Sequence, residues 1–309
     1  MADFLQTLIT AVAVGSLYAL IALGYTMVYG ILKFINFAHS DIVVLGAWIS
    51  YTLAGKLLAG QAPGEPIAWW VGGVILVAAM AGCALVGFTV ERLAYKPLRR
   101  APRLNVLITA IGVSLLLQNT GQLRWVFGTQ PASMPALLPD VTLATVAGVK
   151  LSLIDVVITA TAVVLMTLLQ VLVFRTKIGA AMRAVSFNTD HAALMGIPVN
   201  RVISITFVIG TALAAAAGFL IAMKYPGLNP PAHEIWVLLG LKAFVAAVVG
   251  GIGNIRGAVL GGFLIATLEQ FGAFYISSSF KDVYVFALLI VVLLVKPTGL
   301  LGTPVREKV

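Results

Sequence analysis

The chain has 309 residues, 61% of them hydrophobic and only 10% charged, with a formal net charge of +9 and a mean hydropathy of +1.05. A soluble domain carries roughly a quarter charged residues, so this composition excludes a soluble globular protein and points to an integral membrane protein. The basic residues lie between apolar runs, which membrane topology explains better than nucleic-acid binding.

Lipid offers no partner to an unpaired backbone group, so the expected fold is an all-α polytopic membrane protein, one domain over residues 1–309. The first apolar run, Phe4 to Leu32, is long enough to span with tilt. It lacks a basic n-region and is too long for a signal-peptide core, so it is expected to stay as a span. A polar stretch follows, from Lys33 to Asp41, and then a second run, Ile42 to about Ala54, that is short for a span. A broken or re-entrant helix is expected there, with Asn36, His39 and Asp41 near a helix start inside the protein. A capped helix start at the membrane surface is the competing reading.

Lys56 to Pro66 reads as a loop and Ile67 to Glu91 as the third span. The basic stretch Arg92 to Arg103 holds Pro97 and Pro102 as breakers. The fourth span, Leu104 to Phe127, is polar for a lipid-facing helix. Asn105, Thr109, Gly112 and Asn119 fall near one face and are expected to look inward, as pore lining or as helix–helix hydrogen bonding. Gly128 to Lys150 reads as a nearly uncharged loop, Leu151 to Phe174 as the fifth span and Val202 to Met223 as the sixth. Tyr225 to Pro231 breaks any helix, Ile235 to Val249 is a short apolar segment, and Ala258 to Ile276 and Val283 to Val295 are the last spans before a basic tail.

Charge sets the orientation. If the loops at 92–103 and 175–201 are cytoplasmic, Lys33, Arg92, Lys96, Arg99, Arg100, Arg103, Arg175, Lys177, Arg183, Arg201, Arg256, Lys296, Arg306 and Lys308 all face in. The opposite loops then hold Lys56, Arg124, Lys150, Lys224, Lys242 and Lys281 against Asp3, Glu65, Asp140, Asp155, Glu234 and Asp282. This positive-inside bias puts the amino terminus outside and the carboxyl terminus in the cytoplasm, with eight to nine transmembrane or re-entrant helices.

Between the fifth and sixth spans, residues 175–201 form the longest polar interruption. A very short helix is expected in it. Asn188 or Thr189 caps it, Asp190 suits its positive end, Gly196 supplies a left-handed stop and Pro198 blocks continuation. Such a capped helix on a basic loop is either a knob for a partner protein or an ordinary loop helix. Gly253, Gly257 and Gly261, spaced by four, form a stripe for close helix approach. The surrounding GxGxxxG follows no soluble strand and reads as packing, and no GxxxxGK[ST] exists, so ATP binding through a P-loop is excluded. His39, His191 and His233 are too scattered for a metal site and no catalytic motif is evident, so no enzyme activity is assigned. Glu269 is a lone charge in an apolar span, lining a path or anchoring a helix.

INFAHSD (Ile35–Asp41), LITAIGVSLLLQN (Leu107–Asn119), TKIGAAMRAVSFNTDHAALMGI (Thr176–Ile197), GGIGNIRGAVLGG (Gly250–Gly262) and KPTGLLG (Lys296–Gly302) resemble, in order and over the whole chain, the membrane permeases of bacterial branched-chain amino acid ABC importers, most closely the H type. Two departures stand out. Ser40 replaces the usual Gly, and His191-Ala192-Ala193 reaches Gly196 one residue earlier than in the generic permease loop.

The resemblance implies a multi-pass protein of the bacterial cytoplasmic membrane. It implies two ABC ATPase subunits, a homologous sister permease forming a heterodimer, and an extracytoplasmic binding protein. ATP and magnesium would sit on the partners, with no cofactor in this chain. It makes 175–201 the cytoplasmic coupling loop, with Asn188, Thr189, Asp190, His191, Ala192, Ala193, Leu194, Met195 and Gly196 as the part in the ATPase groove. Urea or short-amide transport, or a proton-coupled carrier using Asp41 or Glu269, are the alternatives.

Overall fold

Two helices are buried on every side in the computed structural model, which describes residues 1–59, 67–68, 70–99, 101–146 and 148–302. They are α1 (Ala2–Leu32), buried without a break from Ala13 to Val28, and α8 (Val199–Lys224), buried from Leu213 to Met223. A helix that is apolar all round belongs at the centre of a bundle. Around them stand α2 (His39–Leu57), α3 (Trp70–Val90), α4 (Arg103–Gly121), α5 (Leu153–Arg175), α9 (Glu234–Gly250), α10 (Ile255–Tyr275) and α11 (Lys281–Val295), while α6 (Lys177–Phe187) and α7 (Thr189–Leu194) lie between α5 and α8. Glu65, Arg100, Arg306 and Lys308 of the orientation argument, with much of the loop at 56–66 and the basic tail, lie outside the described residues.

Among the described residues, seven helical segments are long and apolar enough to cross a membrane. The helices α2 and α9 are not among them: the polar start of α2 lowers its hydropathy, and α9 has 17 residues. Small residues set the spacing. A Cβ on Gly218 of α8 would strike the Val43 carbonyl of α2, and one on Gly262 of α10 would sit 2.6 Å from the Ala19 nitrogen of α1. With no apolar drive between helices in lipid, such close backbone approach is what holds them.

Four expectations are corrected. The stretch 128–150 is not only loop: β2 (Thr142–Val146) and β3 (Val149–Ser152) make an antiparallel hairpin, and β1 (Ala132–Ser133) pairs with β4 (Gly227–Leu228). The hairpin follows from β-branched residues flanking a turn at which Gly148 takes φ +83. The 175–201 stretch holds two helices rather than one. Thr176 caps α6 by accepting from the Gly179 N–H at 3.1 Å, and Gly179, Met182 and Val185 supply a buried stripe. The fourth span ends at Gly121, before Phe127. Finally, α4 turns Val106, Ala110 and Val113 inward and leaves Asn105, Gly112 and Asn119 exposed. Thr109 donates to the Asn105 carbonyl at 2.8 Å and Asn119 to the Leu115 carbonyl at 2.7 Å, so these side chains satisfy themselves on their own helix and need no interior partner.

Candidate functional site

Helix α1 stops at Lys33, in a left-handed conformation (φ 56) with its N–H bonded to the Tyr29 carbonyl. The chain then doubles back. The first residue of α2, His39, lies against Gly24 of α1, so closely that a Cβ on Gly24 would strike the imidazole. Gly24 is nine residues before Lys33, roughly 13 Å along the helix axis. The second helix therefore begins inside the bundle, and Asn36, His39 and Asp41 are all buried.

Their hydrogen bonding is uneven. Asn36 Oδ1 accepts from the Tyr95 hydroxyl at 2.7 Å, and Asp41 Oδ1 accepts from Gln118 Nε2 of α4 at 2.9 Å. Both ring nitrogens of His39, Asp41 Oδ2 and Thr26 Oγ1 are buried and have no partner among the described residues. The imidazole is boxed by Tyr25, whose ring centroid is 4.5 Å away. Most buried polar groups in folded proteins are paired, so a cluster of orphans at one level of one bundle points to function.

Glu269 is not a lone charge. Its Oε2 accepts from the Tyr18 hydroxyl at 2.7 Å and its Oε1 from Lys242 Nζ at 2.7 Å, and Lys242 also lies 2.5 Å from Asp282 Oδ1. This clasp joins α1, α9, α10 and α11. Lys242, read above as a loop charge, is 5% exposed in the middle of α9. A paired intramembrane charge is an anchor, and a lysine in one short apolar run facing a glutamate in another was the signal for it.

The glycine stripe is shorter than its spacing suggests. Gly257 and Gly261 pack on the Gly250 and Ala246 carbonyls of α9, whereas Gly253 (φ +92) precedes α10 and belongs to the turn. That turn is covered by the segment after α11: the Leu300 and Leu301 N–H groups donate to the Val249 and Gly250 carbonyls at 2.8 and 2.9 Å.

At the same end stands α7. Asn188 Oδ1 accepts from the Asp190 and His191 N–H groups, both at 2.9 Å, and Gly196 takes φ +78 after the last turn. Ala192 is buried against the bundle, while Phe187, Leu194 and Met195 are 92%, 86% and 83% exposed. Thr189, Asp190, His191 and Ala193 complete the same capped turn.

Residues 7–293 match the family model described as branched-chain amino acid transport system / permease component. The high-affinity branched-chain amino acid transport system permease protein BraD of Pseudomonas aeruginosa is 42% identical, covering 99% of this chain and 98% of that protein. This chain belongs to that permease family. The LivH protein of Escherichia coli K12 is 40% identical over the same shares, and a probable LivH of Methanocaldococcus jannaschii is 30% identical over 94% of the permease and 90% of its own length.

The residues that sequence reasoning missed are those whose role depends on a distant partner. Besides Tyr18 and Lys242 they include Glu91, fully buried where α3 passes into a π-turn (Glu91–Tyr95). Glu91 pairs with Arg99 and accepts from the Ser204 hydroxyl of α8 at 2.6 Å, and Arg99 also reaches Asn200. A π-turn often marks a functional position, but nothing in local sequence announces one.

Proposed function

We propose that this permease is one half of the membrane pathway of an ATP-driven importer for branched-chain amino acids. The observation that carries the reading is its match, end to end, to permeases named for that transport. A proton-driven carrier is disfavoured by the same match, and of its two candidate residues Glu269 is committed to Lys242 and Tyr18. Nothing favours urea or short amides.

The orientation has the amino terminus outside and the carboxyl terminus in the cytoplasm of a bacterial inner membrane, with nine crossings if α2 with its lead-in and α9 each count as one beside the seven long apolar helices. In support, the Lys33 end of the bundle gathers Lys33, Arg99, Arg183, Arg256 and Lys296. At the other end Lys224 is neutralised by Asp155.

Coupling would run through residues 188–196. Two ATPase subunits carry the ATP and magnesium, and one of them grips α7 in a groove. The exposed Phe187, Leu194 and Met195 offer them apolar anchors on a surface that otherwise has little reason to show any. Pro198 and the start of α8 follow at once, and the Ser204–Glu91–Arg99–Asn200 network ties that start to the π-turn of α3. Tyr95, on that turn, holds Asn36 in the lead-in to α2. A shift of α7 would reach the segment carrying His39 and Asp41 through the chain into α8, the Ser204–Glu91–Arg99–Asn200 network, the π-turn backbone and the Tyr95–Asn36 hydrogen bond. The partner arrangement is a sister permease, two ATPases and an external binding protein. Of the pathway candidates, Asn36, His39 and Asp41 line the interior. Asn105 and Asn119 are exposed and Thr109 half-buried on α4, outside that interior.

The test is uptake of radiolabelled leucine into proteoliposomes. Uptake by the complete set with ATP, and none by this chain alone, is expected. Uptake by the chain alone under a proton gradient overturns the reading.

A further inference from the structure

A small cavity of about 20 Å³ lies between α2, α4 and the turn before α9, with Asp41 at one end. That is room for a single water-sized group. Its walls are apolar and aromatic: Trp48 and Leu117 flank it, and Phe127 and Pro231 close the far end. Trp48 and Phe127 stand 5.5 Å apart, centroid to centroid, and the Trp48 indole is fixed by donating to the Asn229 carbonyl at 3.1 Å. Asp41 and Trp48 are seven residues apart on α2, so the lined path from carboxylate to indole is roughly 10 Å long.

Asp41 is 4% exposed. Gln118 Nε2 holds Oδ1 at 2.9 Å and is itself braced by Ser114 Oγ at 3.2 Å, while Oδ2 is buried with no partner among the described residues. The clasp at Glu269 is how this chain treats a carboxylate that only anchors: Lys242 and Tyr18 occupy both oxygens. At Asp41 one oxygen is held in position by a neutral amide, the other has no partner among the described residues, and the residue lines a space of about ammonium size. A buried carboxylate strongly favours a cationic partner that brings its own donors. The apolar path beyond it suits a hydrocarbon body.

We propose that Asp41, positioned by Gln118, is the head-group site for a primary ammonium ion attached to a short branched apolar body. This deepens the transport reading and rests on it: the ligand class is that of a branched-chain amino acid, seated ammonium-first. The body fits only when the path widens. Such widening would come from α4, which turns most of its surface out of the bundle.

The experiment titrates the purified complete complex by calorimetry with three probes: isoamylamine, which has the ammonium and the branched body; 4-methylpentanoate, which has the body and a carboxylate; and ammonium chloride, which has no body. Isoamylamine is expected to bind wild type, to bind Asp41→Asn about tenfold more weakly or worse, and to bind Asp41→Glu close to wild type. A second variant, Leu117→Trp, fills the path without touching the carboxylate, and is expected to weaken isoamylamine as well. 4-Methylpentanoate and ammonium chloride are expected neither to bind at the same concentrations nor to compete.

Equal binding by wild type and Asp41→Asn overturns the proposal. So does full binding by Leu117→Trp, or 4-methylpentanoate binding as well as the amine. Competition by ammonium chloride at equal concentration also overturns it, since it would mean a bare cation site. Leucine uptake by the wild-type complex is measured alongside. Uptake with no Asp41 dependence of amine binding sinks this inference alone. Asp41-dependent amine binding without leucine uptake sinks the importer reading and leaves the ammonium site.

Discussion

Two buried polar clusters sit in this bundle and are built on opposite principles. In the clasp, Tyr18, Lys242, Glu269 and Asp282 of four helices meet, and both Glu269 oxygens have partners. His39 and Asp41 at the start of α2 and Thr26 on α1 bury four polar atoms with no partner among the described residues. Burying an unpaired polar group costs about 1–3 kcal/mol, so the second cluster is one that stability alone would remove. The contrast separates what holds the helices in place from what a substrate or water has to meet.

The sharpest way to break this distinction is to disarm the clasp. Glu269→Gln leaves Lys242 with only the partly exposed Asp282, and removing one member of a buried pair costs about 3–5 kcal/mol. The variant is expected to melt well below wild type in detergent. Replacing Lys242 and Glu269 together by Met and Leu is expected to recover part of that loss, because the one charge then left without its partner is Asp282, which is partly exposed. If the single change leaves the melting temperature unchanged, the cluster is not an anchor and the two regions are alike.

The next effect is local to α7. Gly196 at φ +78 disfavours any side chain by about 1–2 kcal/mol, so Gly196→Val is expected to misplace the knob. ATP hydrolysis by the assembled complex should continue while leucine uptake falls. Melting should move little, since Leu194 and Met195 touch almost nothing within this chain. Uptake at the wild-type level removes α7 from the coupling scheme. A smaller change, Tyr95→Phe, deletes one hydrogen bond to the buried Asn36 and is expected to cost about 1 kcal/mol, with a measurable loss of uptake per ATP. Wild-type coupling in that variant would cut the route from the π-turn to α2.

How much of this was legible in the sequence follows the range of each interaction. The Asn188 cap and the Gly196 stop were readable because capping is decided within four residues. The buried start of α2 was readable too, because His39-Ser40-Asp41 leaves too short an apolar run for a span of its own. The clasp was only half legible: Lys242 and Glu269 each stand as a charge inside an apolar run, but nothing local pairs them with each other or with Tyr18, 251 residues from Glu269. The inward face of α4 was misread for a different reason. Polar residues were expected to seek the interior, yet Thr109 and Asn119 satisfy themselves on carbonyls one turn back. The helix α6 was hidden because its buried stripe of Gly179, Met182 and Val185 lies among basic residues that dominate the composition.

The smallest expected change in stability is also the most telling. The ring nitrogens of His39 have no hydrogen-bond partner among the described residues, so His39→Leu removes none of the bonds seen there and roughly keeps the volume against Gly24 and Tyr25. Volume-conserving swaps usually cost less than about 1.5 kcal/mol, and losing two unpaired ring nitrogens offsets part of that. Melting of His39→Leu should therefore stay close to wild type, while uptake of leucine by the complete complex falls. The same substitution logic applied to the clasp predicts the reverse order, with stability lost before transport. If His39→Leu melts as low as Glu269→Gln, the imidazole is a structural member of the core and its missing partners carry no functional meaning. If it melts like wild type and transports like wild type, the orphaned nitrogens are incidental, and Asp41 alone carries the case for this level of the bundle.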